Sequence, residues 1–463
     1  MKAWFRVVLV VAVLIAIPTA ALAVPRAHRV ATPIQHVVVL YMENHSFDNV
    51  LGYWCDQLAQ NPGQRLDGCV GMPTSVTLSN GATVTPSVAP DTVPNEDHNI
   101  ASQLAAIDNG KMDGWENIVG CAAPGYSCVS GYEPSQIPNI TSLAQKFAVS
   151  DHTFSMADSP SWGGHLYAAM ASLDGFTGDL PAAAPGVHHG WGCDSGLVAP
   201  WINPTTHQVQ QVPSCVPDPS LGRPNGGAFE PTPASYAPTI MDRLQSAGLT
   251  WKIYGAAKPI NGGRVWAICP SFAECLYTSQ DHNLVDGGQF AHDAATGLSN
   301  FSIVTPGGTE NEVFSSCHNL WSMTDCDNWI GQLVREIEHG PDWNSTAVFI
   351  TFDDMGGFYD QVPPPSNQMG TQEGPRVPMI IVSPYAKAGY TDSTPTSFAG
   401  ILAFTEHNFG LAPLSPIDAA AYPFTNAFNY SQAPLKPVHM VHRPLPPSAR
   451  HIHVTRTMLD DPT

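Results

Sequence analysis

Two pairs of oxygen-bearing side chains follow apolar runs that have the length of buried strands. Glu43 and Asn44 follow the run 37–41, and Asp353 and Asp354 follow the run 347–352. Carboxylates at the end of a buried strand repel one another unless a cation or protons neutralise them. If the two strands are neighbours, the four side chains present their oxygens to one hard or borderline divalent cation. The spacing therefore predicts a metal site.

The same acidic residues have a simpler interpretation. In it, Glu43 and the two aspartates only cap the helices that follow them. Either cluster alone is as consistent with capping as with metal binding, but two clusters at two strand ends favour the metal. Oxygen donors accept Ca²⁺, Mg²⁺, Mn²⁺, Fe²⁺ and Zn²⁺, so the pattern leaves the identity of the ion open.

A hydroxyl nucleophile is the next requirement of hydrolytic chemistry, and the segment 159–170 supplies a candidate. Ser161 is expected near the N-terminus of a helix that begins in this segment. The free N–H groups and the dipole of a helix favour an anion there, so a phosphate could lie where the hydroxyl attacks it. The simpler alternative is that Ser161 is an ordinary N-cap. The segment also approaches the Gly-x-Ser-x-Gly turn of esterases, but the first Gly is absent.

The elements that must position these residues alternate between strand and helix patterns. Short apolar runs predict strands buried on both faces, at 37–41, 250–254, 301–304, 347–352 and 379–382. Apolar residues at three- and four-residue spacing predict helices near 240–244, 329–337 and 401–405. An α/β fold with a central, mostly parallel sheet flanked by helices is the simplest architecture. Its ligands are expected beyond the carboxyl ends of the strands.

Three segments lack such periodicity. Segments 70–96 and 178–237 are rich in Pro, Gly, Ser and Thr, which predicts long surface insertions with at most short strands. The segment 412–463 is again proline-rich and contains four histidines, His439, His442, His451 and His453. It permits metal binding, but a docked or frayed terminus is the simpler expectation. The main domain is therefore expected to span 24–411.

The composition limits the classes of partner. The chain of 463 residues carries 39 Asp and Glu against 19 Lys and Arg, a formal net charge of −20 with its 18 His counted as neutral. Nucleic acid and anionic membrane surfaces are therefore not expected as partners. With 43% hydrophobic and 13% charged residues, the chain can bury a large core, which excludes a disordered or fibrous protein.

Residues 1–23 have the pattern of an export signal. Lys2 and Arg6 precede the apolar run 7–17, and the small residues 21–23 supply a cleavage site before Val24. The apolar run is shorter than the ~20 residues that cross a bilayer. We therefore expect a secreted, periplasmic or cell-surface protein that has no transmembrane anchor after cleavage. An uncleaved N-terminal anchor is the alternative.

The ten cysteines all follow this leader and form five pairs that are close in sequence: 55 and 69, 121 and 128, 193 and 215, 269 and 275, 317 and 326. In an exported protein such clustering indicates disulfides, and the simplest pairing joins consecutive cysteines. No Cys-x-x-Cys motif occurs, which argues against a zinc site or thiol redox chemistry.

Several blocks of the chain resemble those of a known family. Segment 34–52, with Glu-Asn-His-Ser-Phe-Asp at 43–48, is similar to the first signature of the bacterial phosphoesterase family, which includes phospholipases C and acid phosphatases. Later blocks resemble family motifs in the same order, at 109–114, 327–330, 351–360 and 376–385. The resemblance extends from residue 34 to residue 411.

The resemblance implies an alkaline-phosphatase-like fold, a divalent metal cofactor and hydrolysis of a small phosphate ester or a phospholipid head group. It matches four residues with metal ligands, Glu43, Asn44, Asp353 and Asp354. It matches Ser161 with the nucleophile, which would form a phosphoserine that water later cleaves. The oligomeric state stays open.

Two histidines match family residues beside the phosphate. His318 is the preferred proton donor to the leaving alcohol, and His98 would hydrogen-bond a non-bridging oxygen of the phosphate. The two roles could be exchanged without contradicting the sequence. Taken singly, each histidine is more often a surface or core residue.

The chain also departs from the family pattern at three places. Gln361 and Pro395 stand where relatives often carry His, and Gly163-Gly164-His165 replaces the Pro-Asn-Arg that is common after the nucleophile. These positions lie beside the pocket in the family. The substrate is therefore less determined than the metal ligands and the nucleophile.

Three functions remain open. The Asp353-Asp354 pair, where many phospholipases have Asp-Glu, favours a phosphomonoesterase of the acid phosphatase type. A phospholipase C that cleaves phosphatidylcholine-type lipids is the alternative. The third is a non-catalytic surface protein whose acidic cluster binds calcium. A sulfatase is not expected, because it needs Ser/Cys-x-Pro-x-Arg and Ser161 is followed by Trp162-Gly163.

Overall fold

The computed structural model describes residues 31–451 with the exception of 62, 64–66, 157–158, 183–190, 223–230, 256–266, 307–314 and 368. The export signal predicted at 1–23 and His453 lie outside the described residues. Across the described part of the chain, no helix combines the length and the apolar character that crossing a bilayer requires.

An eight-stranded sheet lies at the centre of the described structure. In chain order its strands are β1 His36–Met42, β2 Ala148–Ser150, β3 Trp251–Gly255, β4 Leu284–Asp286, β5 Phe301–Val304, β6 Thr346–Phe352, β7 Met379–Val382 and β8 Thr391–Asp392. In space they follow the order β4-β3-β5-β1-β6-β7-β2-β8. Of these strands, β7 runs antiparallel to both neighbours, and the other pairs are parallel. The mostly parallel sheet and its five predicted strands are confirmed.

Four of the ten helices in the described structure lie where helices were predicted, and the one over 329–337 begins six residues earlier, at Met323. In chain order they are α1 Tyr53–Gln60, α2 Ile100–Ile107, α3 Pro138–Lys146, α4 Ser161–Met170, α5 Ile240–Ser246, α6 Ala273–Tyr277, α7 Gln289–Thr296, α8 Met323–His339, α9 Ala399–Phe409 and α10 Pro416–Ala420. One group packs α8 against α3 and α7, and another packs α4 against α5 and α9. Both central strands, β1 and β6, are buried along almost their whole length, as expected when both faces of a sheet are covered.

Shorter elements connect these helices and strands. Single helical turns of π or 3₁₀ type occupy Asp48–Gly52, Asp108–Gly110, Trp115–Asn117, Pro219–Leu221, Cys269–Ser271, Ser279–Asn283, Trp343–Ser345, Thr425–Ala427 and Ala449–His451. Outside the central sheet, strands pair two by two: Val76–Thr77 with Thr83–Val84, Ser87–Val88 with Ser130–Gly131, Val198–Ile202 with Val209–Pro213, and Thr153–Phe154 with Thr396–Ser397. The described parts of the insertions at 70–96 and 178–237 therefore contain short strands, as expected.

Five disulfides stabilise these insertions and the loops around the sheet. They join the cysteines in the predicted consecutive pairs, Cys55–Cys69, Cys121–Cys128, Cys193–Cys215, Cys269–Cys275 and Cys317–Cys326. The bridge between Cys193 and Cys215 lies inside the second insertion, where it connects the chain on either side of the strand pair 198–213. The disulfide pairing is therefore confirmed.

Asp327, in the block 327–330, connects two helices of the scaffold. It lies on α8, and its carboxylate accepts hydrogen bonds from the backbone N–H groups of Asn139, at 3.3 Å, and Ile140, at 2.9 Å. These N–H groups belong to the first turn of α3, which has no partner for them within the helix. This block therefore has a structural role in the protein.

The C-terminal segment docks on the same two helices. The Asn139 side chain donates to the carbonyl of Val441 and accepts from its N–H, at 2.9 and 2.8 Å. Asn328 makes the equivalent pair of hydrogen bonds with Arg443, at 2.8 and 2.9 Å. His439 and His442 are exposed beside these contacts. Over 438–443 the terminus is docked, whereas the division into domains at 411 stays a prediction.

A buried ion pair joins three of the blocks that resemble the family. The Arg376 guanidinium donates to Asp360 Oδ1 at 2.8 Å, to Asp48 Oδ1 at 2.9 Å and to the carbonyl of Asp151 at 2.9 Å. Both carboxylates and the guanidinium are fully buried. A buried charge needs such a set of partners, because an unpaired one is costly away from water. This network fixes the loop that follows β1 against the loop that follows β6.

Candidate active site

The register between β1 and β6 brings the predicted metal ligands together. Met42 lies opposite Phe352, so the two strands end at the same level of the sheet and the next residues emerge side by side. The backbone N–H groups of Asn44 and Asp354 both donate to Asp353 Oδ1, at 2.8 Å each. All four predicted ligands, Glu43, Asn44, Asp353 and Asp354, are fully buried. The convergence expected from the sequence is present.

The turns after the two strands hold this arrangement in an unusual backbone geometry. Asn44 has a φ of 65°, in the left-handed region that Asn tolerates better than most residues. Gly356 also has a positive φ, and a Cβ atom there would lie 2.0 Å from the Asn44 carbonyl oxygen. Its N–H donates to Asp354 Oδ1 at 2.7 Å. Only glycine therefore fits at 356 without moving Asn44.

Three buried carboxylate oxygens of this cluster have no hydrogen-bond partner among the described residues: Glu43 Oε2, Asp353 Oδ2 and Asp354 Oδ2. Burial raises the pKa of Glu43 and that of Asp354 to about 8. Burial and the charge of Glu43 raise the pKa of Asp353 well above its ordinary value. A divalent cation would satisfy these oxygens and restore the ionised carboxylates. The cluster therefore fits a metal ion.

The candidate nucleophile faces the same cluster. Ser161 is the first residue of α4, after Pro160 at the N-cap position, and its side chain does not cap the helix. Its hydroxyl donates to Asn44 Oδ1 at 3.3 Å. Hydrogen bonding to Ser161 also lowers the pKa values of Glu43, Asp353 and Asp354. One fully buried hydroxyl thus lies within reach of all three carboxyl groups, and the interpretation of Ser161 as an N-cap is wrong.

A residue that the sequence analysis did not assign to the site also belongs to this cluster. His165 is buried, and its Nε2 lies 3.1 Å from Glu43 Oε1. Ligand atoms of Glu43, His165 and Asp353 all lie within 4.8 Å of one another. Burial lowers the pKa of His165 to about 4, so its imidazole is neutral near pH 7. The sequence spacing could have indicated that His165 is part of the site. Residues i and i+4 of a helix share a face, and His165 is four residues after Ser161.

The two predicted histidines lie near each other, and His98 lies near Asp354. Burial and the charge of Asp353 raise the pKa of Asp354, and the electrostatic interaction with His98 opposes them, which places the imidazole near that carboxyl. The ring centroids of His98 and His318 are 6.5 Å apart. His98 Nδ1 donates to the carbonyl of Glu96 at 2.9 Å, and its buried Nε2 has no hydrogen-bond partner in the described structure. His318 Nδ1 donates to the carbonyl of Asn319 at 2.9 Å.

Hydrogen bonds of the first family-like block, 34–52, hold the loops that follow β1 and β6. His45 is fully buried, with Nδ1 2.7 Å from Asn49 Oδ1 and Nε2 2.9 Å from the carbonyl oxygen of Cys317. The Ser46 hydroxyl donates to the carbonyl of Tyr359 at 2.6 Å. Gln361, a departure from the family pattern, donates its backbone N–H to Asp48 Oδ2 at 3.0 Å. These side chains position the loops after β1 and β6.

Comparisons with known sequences show which family the chain belongs to. The sequence profile of the phosphoesterase family matches residues 34–412. The chain is similar to a non-hemolytic phospholipase C of Burkholderia pseudomallei, with 24% identity over 496 residues that cover 89% of this chain and 61% of that protein. It is also similar to the non-specific phospholipase C1 of Arabidopsis thaliana, with 23% identity that covers 79% of this chain and 63% of that protein. The chain therefore spans less than two thirds of the length of these relatives.

Solved structures with a similar arrangement include a protein of the alkaline phosphatase superfamily from Vibrio parahaemolyticus. The TM-score is 0.29, with 9% identity, and the match covers 61% of this chain and 62% of that one. A phosphonate monoester hydrolase from Silicibacter pomeroyi matches with a TM-score of 0.28 and 12% identity, over 60% of this chain and 69% of that one. Since the family profile covers most of the chain, including both strand-end clusters and Ser161, the protein belongs to the phosphoesterase family.

Proposed function

We propose that this protein is an exported, metal-dependent phosphoester hydrolase and that Ser161 is its nucleophile. The observation that carries the proposal is the position of the Ser161 hydroxyl, buried at the start of α4 beside three carboxyl groups. Each of these groups has an oxygen without a hydrogen-bond partner in the described residues. Membership of the phosphoesterase family supports phosphate esters as the substrates.

The metal would be held by Glu43, Asn44, Asp353 and Asp354. When bound, a divalent cation lowers the pKa of a nearby hydroxyl and neutralises charge on the phosphate. Without it, the cluster is a poor place for a phosphate dianion, because Glu43 and its neighbours would repel the anion whenever they are ionised. The acidic character of the site therefore supports metal dependence.

The protein's own residues then perform a double displacement. Deprotonated Ser161 Oγ attacks phosphorus, and the bond between phosphorus and the leaving oxygen breaks as the new O–P bond forms. His318 supplies the proton that the leaving alcohol needs. His98 Nε2 donates to a non-bridging oxygen and stabilises charge that builds during transfer. Water then gives a proton to His318 as it attacks the phosphoserine, and the bond between phosphorus and Ser161 Oγ breaks, which releases phosphate and regenerates both Ser161 and His318.

A small phosphate monoester is the substrate we propose first. Ser161 and His98 are fully buried and His318 is nearly so, which favours a compact phosphate ester over a bulky lipid. A second candidate, a phospholipase C activity, is favoured by the similarity to phospholipases C of Burkholderia and Arabidopsis. Export is supported by the leader pattern and by the five disulfides, which form in oxidising compartments.

The experiment compares p-nitrophenyl phosphate with p-nitrophenyl phosphorylcholine as substrates of the protein without its leader. We expect turnover of the monoester, loss of that turnover with a chelator, and recovery when a divalent metal is added back. Preference for the choline diester would change the assignment to phospholipase C. If the folded, metal-loaded protein cleaves neither ester, the proposed function is wrong, and a non-catalytic cation-binding role remains.

A further inference from the structure

The imidazole of His165 occupies the place of an additional metal ligand. The donor atoms of Glu43, His165 and Asp353 lie within 4.8 Å of one another. Ligand atoms about 2.0–2.2 Å from a shared ion are separated by up to about 4.3 Å, so a small inward shift brings all three to coordination distance. Glu43 and Asp353 each contribute a buried oxygen that has no other partner in the described chain.

The surroundings of His165 fix the direction of its ring. Its centroid lies 5.2 Å from the Tyr41 ring and 5.4 Å from the Trp191 ring, and all three side chains are buried. Tyr41 is on β1, two residues before Glu43, so the strand that leads into one ligand also packs against the imidazole. Nε2 is thereby held toward Glu43 Oε1, 3.1 Å away. This edge of the ring is the one that faces the cluster.

We infer that His165 is a direct nitrogen ligand of the metal, which makes the site selective for Zn²⁺, Fe²⁺ or Co²⁺ over Ca²⁺ and Mg²⁺. Imidazole suits these borderline transition metals, whereas Ca²⁺ takes six to eight oxygen ligands and Mg²⁺ is bound through carboxylates and water. This inference rests on the proposed function, because it presumes the metal. It adds a ligand that the four strand-end residues do not include, and it names the class of ion.

The first test detects nitrogen bound to the metal and requires no activity. Metal-free protein is loaded with one equivalent of Mn²⁺, a paramagnetic probe, and pulsed electron paramagnetic resonance records hyperfine coupling to ¹⁴N. We expect coupling from one imidazole in the wild type, and its conversion to ¹⁵N coupling when the protein is labelled with [¹⁵N]histidine. This labelling result needs no variant, so it stands even where a substitution at 165 prevents folding.

Variants then assign the nitrogen. In His165→Gln we expect the coupling to disappear and the affinity for Zn²⁺, measured by calorimetry, to fall by more than about 100-fold, because losing a direct ligand exceeds the 10–100-fold cost of losing an outer partner. His98→Gln and His318→Gln should keep the coupling. The matched control is His36→Gln, since His36 lies at the other end of β1, where its Nδ1 contacts the carbonyl of Ser299. It should change neither readout.

The outcomes separate this inference from the proposed function. Bound Mn²⁺ without ¹⁴N coupling, or coupling that persists in His165→Gln, overturns the ligand assignment and leaves metal-dependent hydrolysis standing. Tighter binding of Ca²⁺ than of Zn²⁺ by the wild type also overturns it. Hydrolysis of p-nitrophenyl phosphate by protein that holds no metal contradicts both proposals, because it removes the cation that His165 is inferred to bind.

Discussion

Ser161→Ala is expected to lower kcat for p-nitrophenyl phosphate by at least about 10⁴-fold, because removing a covalent nucleophile leaves only binding and electrostatic stabilisation. The thermal unfolding temperature should change little. The hydroxyl donates to Asn44 Oδ1 at 3.3 Å and lies beside the three carboxyl groups, but it does not cap α4, so its loss leaves the helix start intact. Steady-state kinetics and circular dichroism on the same preparation measure both effects.

The matched control for this substitution is Ser159→Ala. Ser159 precedes the nucleophile by two residues and is equally buried, but its hydroxyl has no hydrogen-bond partner among the residues described. We expect this variant to keep kcat within about tenfold of the wild type, since it contributes no group to the transfer. If Ser161→Ala retains wild-type activity, or if Ser159→Ala loses as much, Ser161 is not the nucleophile.

Asp353→Asn should have opposite effects on the metal-free and metal-loaded protein. Burial and the charge of Glu43 raise the pKa of Asp353 well above its ordinary value. An acid with a raised pKa contributes full stability below its ordinary pKa and loses it as the pH rises toward the folded value. At pH 7 the metal-free variant should therefore be more stable than the metal-free wild type.

With metal the order reverses. A ligand at 100 times its Kd stabilises the folded state by about 2.7 kcal/mol, and Asp353→Asn should lose most of this gain together with hydrolysis. The asparagine keeps Oδ1 as acceptor for the N–H groups of Asn44 and Asp354, so the turn itself survives. Denaturant titrations at pH 5 and pH 7, with and without Zn²⁺, measure the free energy of unfolding of both proteins and test this reversal.

The control variant is Asp342→Asn, just before β6 at its amino end, where the aspartate accepts a hydrogen bond from the Leu298 N–H at 2.7 Å. Its response to Zn²⁺ should equal that of the wild type. Equal metal stabilisation of Asp353→Asn and the wild type would mean that Asp353 is not a ligand. A metal-free Asp353→Asn protein less stable than the metal-free wild type would contradict the electrostatic reasoning.

The sequence predicted the central sheet and the strand-end cluster for the same physical reason. Parallel strands covered on both faces need unbroken apolar runs, and such runs end abruptly where polar residues such as Glu43 and Asp353 begin. Whether the two strands are neighbours depends on contacts across more than 300 residues of sequence. The pairing of Met42 with Phe352 in the structure shows that the two strands are neighbours.

Two features of the site could not be predicted in the same way. Arg376 forms fully buried ion pairs with Asp48 and Asp360. No local sequence pattern predicts an ion pair between loops so far apart in the sequence. His165 differs from the residue that is common at its position in the family, so the family pattern does not mark it as part of the site. Its role follows from two facts of the structure. The helix places His165 on the same face as Ser161, and His165 Nε2 lies 3.1 Å from Glu43 Oε1.

The central claim is that phosphate passes through a covalent bond to Ser161, and the stereochemistry at phosphorus tests it most directly. A phosphate monoester made chiral with three oxygen isotopes is hydrolysed in the presence of an alcohol acceptor, and the configuration of the transferred phosphoryl group is determined. Two successive in-line displacements, the first by Ser161 and the second by the acceptor, predict overall retention. Overall inversion would mean direct attack by the acceptor, and it would contradict the account.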